Sequence, residues 1–170
     1  MKSSSDYFQD DLAVGHAVEE LILKKIQRKY PKSYRKKGKN KGFDLVIKEL
    51  DQTVEVKQDF KGKHTGNIVV EIEYGDEPSG LSVTTANFWA ITDGYFIYWI
   101  TPDNIRRCIE ENDLIYTGWV GPGDTKYKKA YLIERDELLG YCKQPIVKLK
   151  EDDPLYRENF IKRKDNHVYE

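Results

Sequence analysis

Two short segments of alternating apolar and polar residues, joined by a polar turn, most constrain how this chain can fold. Residues 43–47 read FDLVI and residues 53–57 read TVEVK. Such alternation is typical of β-strands, and the short connection predicts a hairpin. Asp44, Glu55 and Lys57 are charged where a plain hairpin needs no charge. A turn of two or four residues would place all three on one face, although the sequence alone leaves the register open; a solvated face with a cross-strand ion pair is the alternative.

The hydrophobic pattern of the rest of the chain predicts an α/β fold with a mixed β-sheet flanked by helices. From about residue 10 to residue 30, apolar side chains recur at three- and four-residue steps, which is typical of an amphipathic helix, and Pro31 would end it. The later elements are predicted to be a strand at 67–74, a short helix at 86–92 capped by Thr84 or Thr85, a buried strand at 94–100, a helix starting at Thr101 and Pro102, strands at 114–119 and 128–134, and a short helix at 135–142. The predicted order is therefore α-β-β-β-α-β, followed by an extra helix and strands.

The length of the chain, 170 residues, is that of one domain. We assign residues 1–150 to this domain. Residues 151–170 are charged and poorly periodic, so they are predicted to form a tail or a docked helix.

The basic residues are unevenly distributed. Ten of the 28 Lys and Arg residues lie between Lys24 and Lys41, where there is no acid. The rest of the chain therefore contains 28 minus 10, or 18, basic residues and all 29 acidic residues. This clustering predicts one positive patch on an otherwise acidic protein, suited to attracting phosphate. The alternative is a solvated helix end followed by a mobile loop.

Other features of the sequence argue against a Cys or His metal site, a secreted protein and a membrane protein. Cys108 and Cys142 form no CxxC pair, and the three histidines lack the spacing of a metal site. The first residues contain no apolar segment like that of a signal peptide, and no apolar run approaches the length that spans a bilayer. We therefore expect a cytoplasmic protein, of a cell or of a virus in its host, with no membrane partner.

The acid-x-Lys pattern occurs three times, and its context separates the three. Asp59-Phe60-Lys61 runs off the end of a strand, and Asp124-Thr125-Lys126 lies in a turn. Only Glu55-Val56-Lys57 lies inside an alternating β-branched strand, and only this copy has an acid, Asp44, on the preceding strand with ten residues between them.

This arrangement resembles the PD-(D/E)XK nuclease superfamily, whose core consists of an acid, a short hairpin and then acid-x-Lys on the second strand. Phe43 stands where the family name has Pro, a departure that many members share. Holliday-junction-resolvase-like members also carry, on their first helix, a Gly, three residues and a Glu that faces the metal site. This chain has Gly15 and Glu19 at that spacing, and the resemblance covers residues 10 to 100.

The resemblance implies a restriction-endonuclease-like core and a metal-dependent DNA nuclease, most similar to a phage or mobile-element endonuclease or a junction resolvase. Asp44 and Glu55, with the carbonyl of Val56, would bind Mg²⁺ or Mn²⁺, for which hard oxygen ligands are suited. Lys57 would activate or orient the attacking water. Family members commonly act as dimers, so a homodimer is possible.

Helical geometry separates Glu19 from its neighbour Glu20. At about 100° per residue, with Val18 at the centre of the apolar face, Glu19 falls at the border of that face and Glu20 points to water. We therefore expect Glu19 to be the acid that reaches a cleft beside the sheet. Its alternative is a boundary residue paired with Lys24 or Lys25 or with a neighbouring loop.

A second group of residues is predicted to contact DNA or to extend the site. The basic loop supplies four lysines, Gln58 follows Lys57, and Ser79 lies in a loop rich in Ser and Thr. Glu71 on the third strand could line the same cleft or belong to a solvated face. The predicted DNA contacts are Lys36, Lys37, Lys39, Lys41, Gln58 and Ser79.

Two other functions compete with a nuclease. One is a catalytically silent nucleic-acid-binding module of the same fold, against which an intact set of two acids and a lysine argues. The other is a protein-interaction domain in which the acidic face is merely solvated.

Overall fold

The computed structural model of the chain describes residues 4–38, 42–60, 65–121, 124–144 and 146–160, with side chains from residue 13 onward. These residues include three α-helices and ten strands, besides two short 3-10 helices and a helical turn at residues 157–160. The helices are α1 (Ser4–Gln27), α2 (Pro102–Glu111) and α3 (Arg135–Leu139). The strands are β1 (Tyr34–Arg35), β2 (Leu45–Ile47), β3 (Gln52–Gln58), β4 (Asn67–Tyr74), β5 (Glu77–Pro78), β6 (Phe88–Thr92), β7 (Phe96–Ile100), β8 (Thr117–Trp119), β9 (Lys128–Glu134) and β10 (Val147–Lys148).

The strands form two sheets. The first is mixed, with the order β1-β2-β3-β6-β7-β10, and only its β3–β6 pair is parallel. The second is antiparallel, with the order β5-β4-β9-β8. The predicted mixed sheet flanked by helices is therefore confirmed.

The first sheet is buried on both faces. Val18 and Ile22 of α1 pack with Leu45, Val54 and Ala90 on one face. The other face is covered by α2 and the second sheet, through a cluster that includes Trp89, Ile91, Ile100, Ile105 and Ile133. Because β6 lies in the middle of the sheet, its residues contribute to both clusters, which explains its near-continuous apolar sequence.

The predicted hairpin is present, and its register interrupts the regular alternation at one residue. Leu45 pairs with Val54, yet the Val54 carbonyl accepts the N–H of Asp44 at 2.9 Å. Two residues of one strand thus lie against one residue of the other at the start of β2, which is the geometry of a β-bulge. The side chain of Asp44 therefore leaves the alternation that the hairpin pattern predicts for it.

The predicted short helix at 86–92 is wrong, because Phe88–Thr92 is strand β6. The segment pairs in parallel with β3, from Val54 opposite Phe88 to Gln58 opposite Thr92. Asn87 fixes the start of this pairing, since its side-chain oxygen accepts the N–H of Thr53 at 2.8 Å. The predicted order α-β-β-β-α-β is consequently wrong at its fifth element. In a segment this short, periodicity cannot distinguish a helix from a strand, and the pairing with β3 determines that a strand forms.

The third predicted strand exists as β4, but it belongs to the second sheet. It pairs with β5 and β9, and its register shifts between Glu71 and Glu73. This irregularity breaks the alternation that would place both acids on one face. Each of the two acids is instead paired with a lysine of β9: Glu71 with Lys128 at 3.6 Å and Glu73 with Lys129 at 2.9 Å.

The elements that follow agree with the sequence patterns. Thr101 begins α2, since its hydroxyl accepts the N–H of Asn104 at 3.2 Å. Residues 151–160 dock on the α1 side of the first sheet, where Leu155 and Phe160 are fully buried, and residues 157–160 are helical. None of the helices described here is both long and apolar enough to span a membrane.

Candidate active site

Glu55 is a buried acid with two polar partners. It lies in the middle of β3 and is 7% exposed. Its Oε1 is 3.0 Å from Nζ of Lys57, and its Oε2 accepts the hydroxyl of Thr84 at 2.7 Å. Residues two apart on a strand share a face, so the sequence pattern predicted the first contact. The hairpin pattern gave no indication of the second.

Trp89 supports this pair from the neighbouring strand. It is the parallel register partner of Glu55, so the two side chains stand on the same face of the sheet. The indole Nε1 donates to the Thr84 hydroxyl at 3.0 Å, and Nζ of Lys57 lies 5.3 Å from the centre of the indole ring. Trp89, Thr84 and Glu55 thus form one chain of hydrogen bonds. Thr84 and Trp89 were not predicted as site residues, because the sequence pattern indicated a short helix and its cap there.

Asp44 is held at the open edge of β3. Its Oδ2 accepts the N–H of Val56 at 2.7 Å. Because the N–H and C=O of a strand residue lie on the same edge, the Val56 carbonyl is also directed to this side. Burial raises the pKa of the Asp44 carboxyl, and the nearby charge of Glu55 raises it further, while the Val56 hydrogen bond opposes both.

Glu19 reaches the same place from α1. Its pKa is raised to about 7, first by burial and then by the charge of Asp44, while Arg35 and Lys57 act in the opposite direction. Glu20, its neighbour, is exposed, as helix geometry predicted. A Cβ built at Gly15, one turn earlier, would meet no atom of the described residues within 4 Å, so these residues leave space beside Glu19 on the helix.

The four predicted catalytic residues therefore come together where α1, the start of β2 and the end of β3 meet. Arg35 on β1 also lies here, with Nη1 4.0 Å from Oε2 of Glu19. In the sequence, Arg35 is only one of ten clustered basic residues. The pairing of β1 with β2 brings it close to Glu19.

The predicted DNA contacts are distributed around this cluster. Lys36 and Lys37 are exposed just after β1, and the Lys36 N–H donates to the Asp44 carbonyl at 2.9 Å. The ammonium of Lys36 lies 4.3 Å from the centre of the Phe43 ring. Gln58 is exposed at the end of β3. Lys39 and Lys41 lie outside the described residues.

Ser79 and Glu71 contact each other beside the second sheet. The Ser79 hydroxyl donates to Oε2 of Glu71 at 2.8 Å, and Lys128 of β9 lies 3.6 Å from Oε1 of the same acid. Both residues are thus engaged within and beside the second sheet. Their contacts explain these side chains without a role in the cluster around Glu55.

The donor chemistry of the cluster fits a hard divalent cation. Asp44 and Glu55 are carboxylates, and the Val56 carbonyl adds an oxygen on the same edge of β3. Among the described residues, no three Asp, Glu, His or Cys side chains converge as a complete metal-binding group. Two carboxylates suffice for Mg²⁺, which usually keeps several waters and is bound through one or two carboxylates together with substrate phosphate. Burial raises the pKa of Glu19 and of Asp44, a neighbouring carboxylate raises each of them further, and a bound cation would act against both effects.

No family model matches this chain, and the comparisons with curated proteins and with solved structures also find no match.

Proposed function

We propose that this protein is a DNA endonuclease of the PD-(D/E)XK type that depends on Mg²⁺ or Mn²⁺, and that its first sheet with α1 is a restriction-endonuclease-like core. The single observation that supports this most is the convergence of Asp44, Glu55, Lys57 and Glu19 from three separate elements. Acids do not gather in a half-buried site without a compensating partner, because mutual repulsion and lost hydration both cost free energy.

Asp44 and Glu55, with the carbonyl of Val56, would hold the metal. When bound, the ion would neutralise charge on the phosphate and lower the pKa of a coordinated water. Thr84 keeps the carboxylate of Glu55 in one orientation through the 2.7 Å hydrogen bond.

Lys57 is the group that would act on the attacking water. Its ammonium stands between the Glu55 carboxylate and the indole face, which limits the positions that Nζ can take. From there Nζ can donate a hydrogen bond that orients a water for in-line attack, and its charge offsets the negative charge that develops on the phosphate. The water oxygen forms the new bond to phosphorus and gives up a proton, the opposite P–O bond breaks, and the leaving oxygen takes up a proton.

One arrangement of the surface supports DNA as the substrate. Arg35, Lys36 and Lys37 adjoin the cluster on the strand and loop that precede Asp44. Exposed and partly exposed cations next to a half-buried acidic cluster can hold the flanking phosphates, while the acids themselves would repel DNA in the absence of a cation.

A cleavage assay distinguishes this proposal from the two competing functions. The protein is incubated with supercoiled plasmid, junction DNA and single-stranded DNA, with Mg²⁺, Mn²⁺ or EDTA. Nicking that requires the metal supports the nuclease. A gel shift without cleavage would instead identify a silent binding module. If there is neither cleavage nor a gel shift, the protein-interaction domain is the function that remains.

Two lysine variants link the activity to this site. Lys57→Ala should lower the cleavage rate by several orders of magnitude while the folded structure is kept, because Lys57 is partly exposed. Lys48→Ala, which removes an exposed lysine from the turn between β2 and β3, is the matched control and should cleave like the wild type. Full activity in folded Lys57→Ala protein would refute the proposed role.

A further inference from the structure

A groove of about 680 Å³ lies between the C-terminal half of α1 and the first sheet. Ile22 and Ile26 of α1 form one wall, and Val147 of β10 also lines the groove. Sites that hold one small molecule in proteins usually have volumes of about 300–1,000 Å³. The groove therefore has the size of a ligand site.

The groove and the Glu55–Lys57 pair are on opposite faces of the first sheet. Val54 and Val56 pack in the cluster beneath α1, so Glu55 and Lys57, which alternate with them along β3, project to the other face. Trp89, the register partner of Glu55, accordingly packs in the cluster on the side of the second sheet. Binding in the groove is therefore independent of the proposed nuclease activity.

The floor of the groove is apolar and elongated. It crosses five adjacent strands, because residues of β2, β3, β6, β7 and β10 all line it. Neighbouring strands lie about 4.8 Å apart, so four spacings make the floor roughly 19 Å wide. Its apolar side chains include Ile47, Phe88, Ile97 and Trp99. A long hydrocarbon chain fits this shape, since each CH₂ group that leaves water contributes to binding, whereas a compact ring would leave most of the floor uncovered.

The rim of the groove is positively charged. Lys25, Arg28 and Lys29 line it, and none of the lining residues that the structure describes is acidic. Lys25 is paired with Asp153. Arg28 and Lys29 are exposed and form no ion pair with any residue in the described parts of the chain. Lys24 and Lys25 in the last turn of α1 already balance the negative end of the helix dipole, so the two cations beyond them are available to an anion.

We propose that this groove binds an apolar monocarboxylate of the fatty-acid class. The acyl chain lies across the floor over Ile97 and Trp99, and the carboxylate lies at the rim beside Arg28 and Lys29. Guanidinium and ammonium groups donate charge-assisted hydrogen bonds to a carboxylate, and at the exposed rim the carboxylate keeps part of its hydration, so no unpaired charge is buried. The same cations disfavour a positively charged chain of equal length.

Isothermal titration calorimetry of the full chain with sodium dodecanoate tests the proposal. The probe is kept below the concentration at which it forms micelles, and EDTA removes metal ions through which a carboxylate could bind at the candidate active site. Saturable binding of one molecule per chain is expected. Dodecyltrimethylammonium, which has the same chain and the opposite charge, should bind at least tenfold more weakly, and butanoate, which lacks the long chain, should not bind at the same concentrations. Absence of saturable dodecanoate binding, or equal affinity for the cationic probe, would overturn the proposal.

Variants of the rim test the position of the carboxylate. Arg28→Gln with Lys29→Gln should weaken dodecanoate binding by roughly tenfold and remove most of the preference over dodecyltrimethylammonium. Lys24→Gln with Lys32→Gln removes two exposed cations that do not line the groove. This control has the same change in net charge and should bind dodecanoate like the wild type. Equal weakening by the two double variants would show that the rim does not hold the carboxylate.

Variants of the wall test the position of the chain. Val147→Asp places a charge in the groove and should weaken dodecanoate binding by tenfold or more. Leu132→Asp, on the second sheet, is the matched control, because Leu132 and Val147 are 43% and 42% exposed. It should bind like the wild type, and the thermal midpoint of each variant shows that it is folded. Equal weakening by both variants would contradict the proposal. Self-association that Val147→Asp abolishes, in a chain that does not bind dodecanoate, would assign the groove to a second copy instead.

Discussion

At the scale of single residues, Glu19 is harder to ionise in the folded protein than in the unfolded chain. Its pKa is about 7 in place of the ordinary 4.5, chiefly because of burial and the charge of Asp44. Between these two pH values the folded state binds more protons than the unfolded state, so the free energy of unfolding falls as pH rises from 4.5 to about 7.

We expect Glu19→Gln to remove this loss of stability. Urea unfolding in EDTA measures the free energy of unfolding of the variant and of the wild type. The variant's advantage over the wild type should be larger at about pH 8 than at about pH 5, by up to about 3 kcal/mol. Glu20→Gln, at an exposed site, should follow the wild type at both pH values.

Glu19→Gln should also lose most metal-dependent cleavage, because a neutral amide cannot balance a cation. Impairment of Glu20→Gln instead would show that the wrong acid of the pair has been assigned to the site.

Thr84 is a positioning residue, since it acts through Glu55. Replacing it by Val leaves Oε2 of Glu55 and Nε1 of Trp89 without their hydrogen-bond partner, whereas Ser keeps the hydroxyl. Groups that orient metal-binding side chains typically contribute 10–100-fold to metal affinity, so Thr84→Val should weaken Mg²⁺ binding by about that factor and Thr84→Ser by much less.

The rise of the thermal midpoint with added Mg²⁺ measures this effect without reference to cleavage. Thr85→Val removes the neighbouring exposed hydroxyl and is the matched control. Equal behaviour of Thr84→Val and Thr84→Ser would mean that the hydroxyl does not orient Glu55.

At the scale of elements, the short strand β1 gives the basic segment its location. Tyr34 and Arg35 pair with Val46 and Leu45, which brings the chain that follows them alongside Asp44. The cations that the sequence predicted to form a positive patch are therefore brought, at Arg35, Lys36 and Lys37, to the flank of the candidate active site.

Neutralising Lys36 and Lys37 together, as Lys36→Gln with Lys37→Gln, should weaken DNA binding about equally for all sequences. The slope of log affinity against log salt concentration should flatten by roughly one unit per lost phosphate contact. A fluorescence anisotropy titration at several salt concentrations, with EDTA present to prevent cleavage, measures both. Lys148→Gln with Lys150→Gln, two exposed lysines in and after β10, is the control. An unchanged slope in the first variant would show that these lysines only solvate the loop.

At the scale of the whole molecule, residues 151–160 complete the core on the α1 side. Leu155 and Phe160 are fully buried against the same cluster as Val18 and Ile22. Asp153 pairs with Lys25 of α1, and the Arg157 N–H donates to the Gly94 carbonyl at 2.7 Å. The segment is thus part of the folded unit, whereas its charge and poor periodicity predicted a tail or a docked helix.

Leu155→Ala should lower the free energy of unfolding by about 2–5 kcal/mol, because it leaves a cavity in a packed cluster. Urea unfolding followed by circular dichroism measures this, with Leu50→Ala, at an exposed position, as the control of equal chemistry. Equal stability of the two variants would show that residues 151–160 do not stabilise the domain.

The sequence by itself determined those features that depend on residues close together in the chain. The period of apolar residues predicted α1, and alternation predicted β2, β3 and β4. Thr101 with Pro102 marked the start of α2. The contact of Glu55 with Lys57 and the burial of Glu19 relative to Glu20 also followed from local geometry, since residue spacing on a strand or a helix fixes which side chains share a face.

The tertiary structure decided what depends on residues far apart in the chain. It assigned Phe88–Thr92 to a strand beside β3, moved β4 with Glu71 into a second sheet, and turned Asp44 out of the regular alternation. It also brought Thr84 and Trp89 to Glu55 and Arg35 to Glu19. The physical reason is that a short apolar segment is compatible with a helix or a strand, and the choice is made by the hydrogen bonds and packing that distant segments offer it.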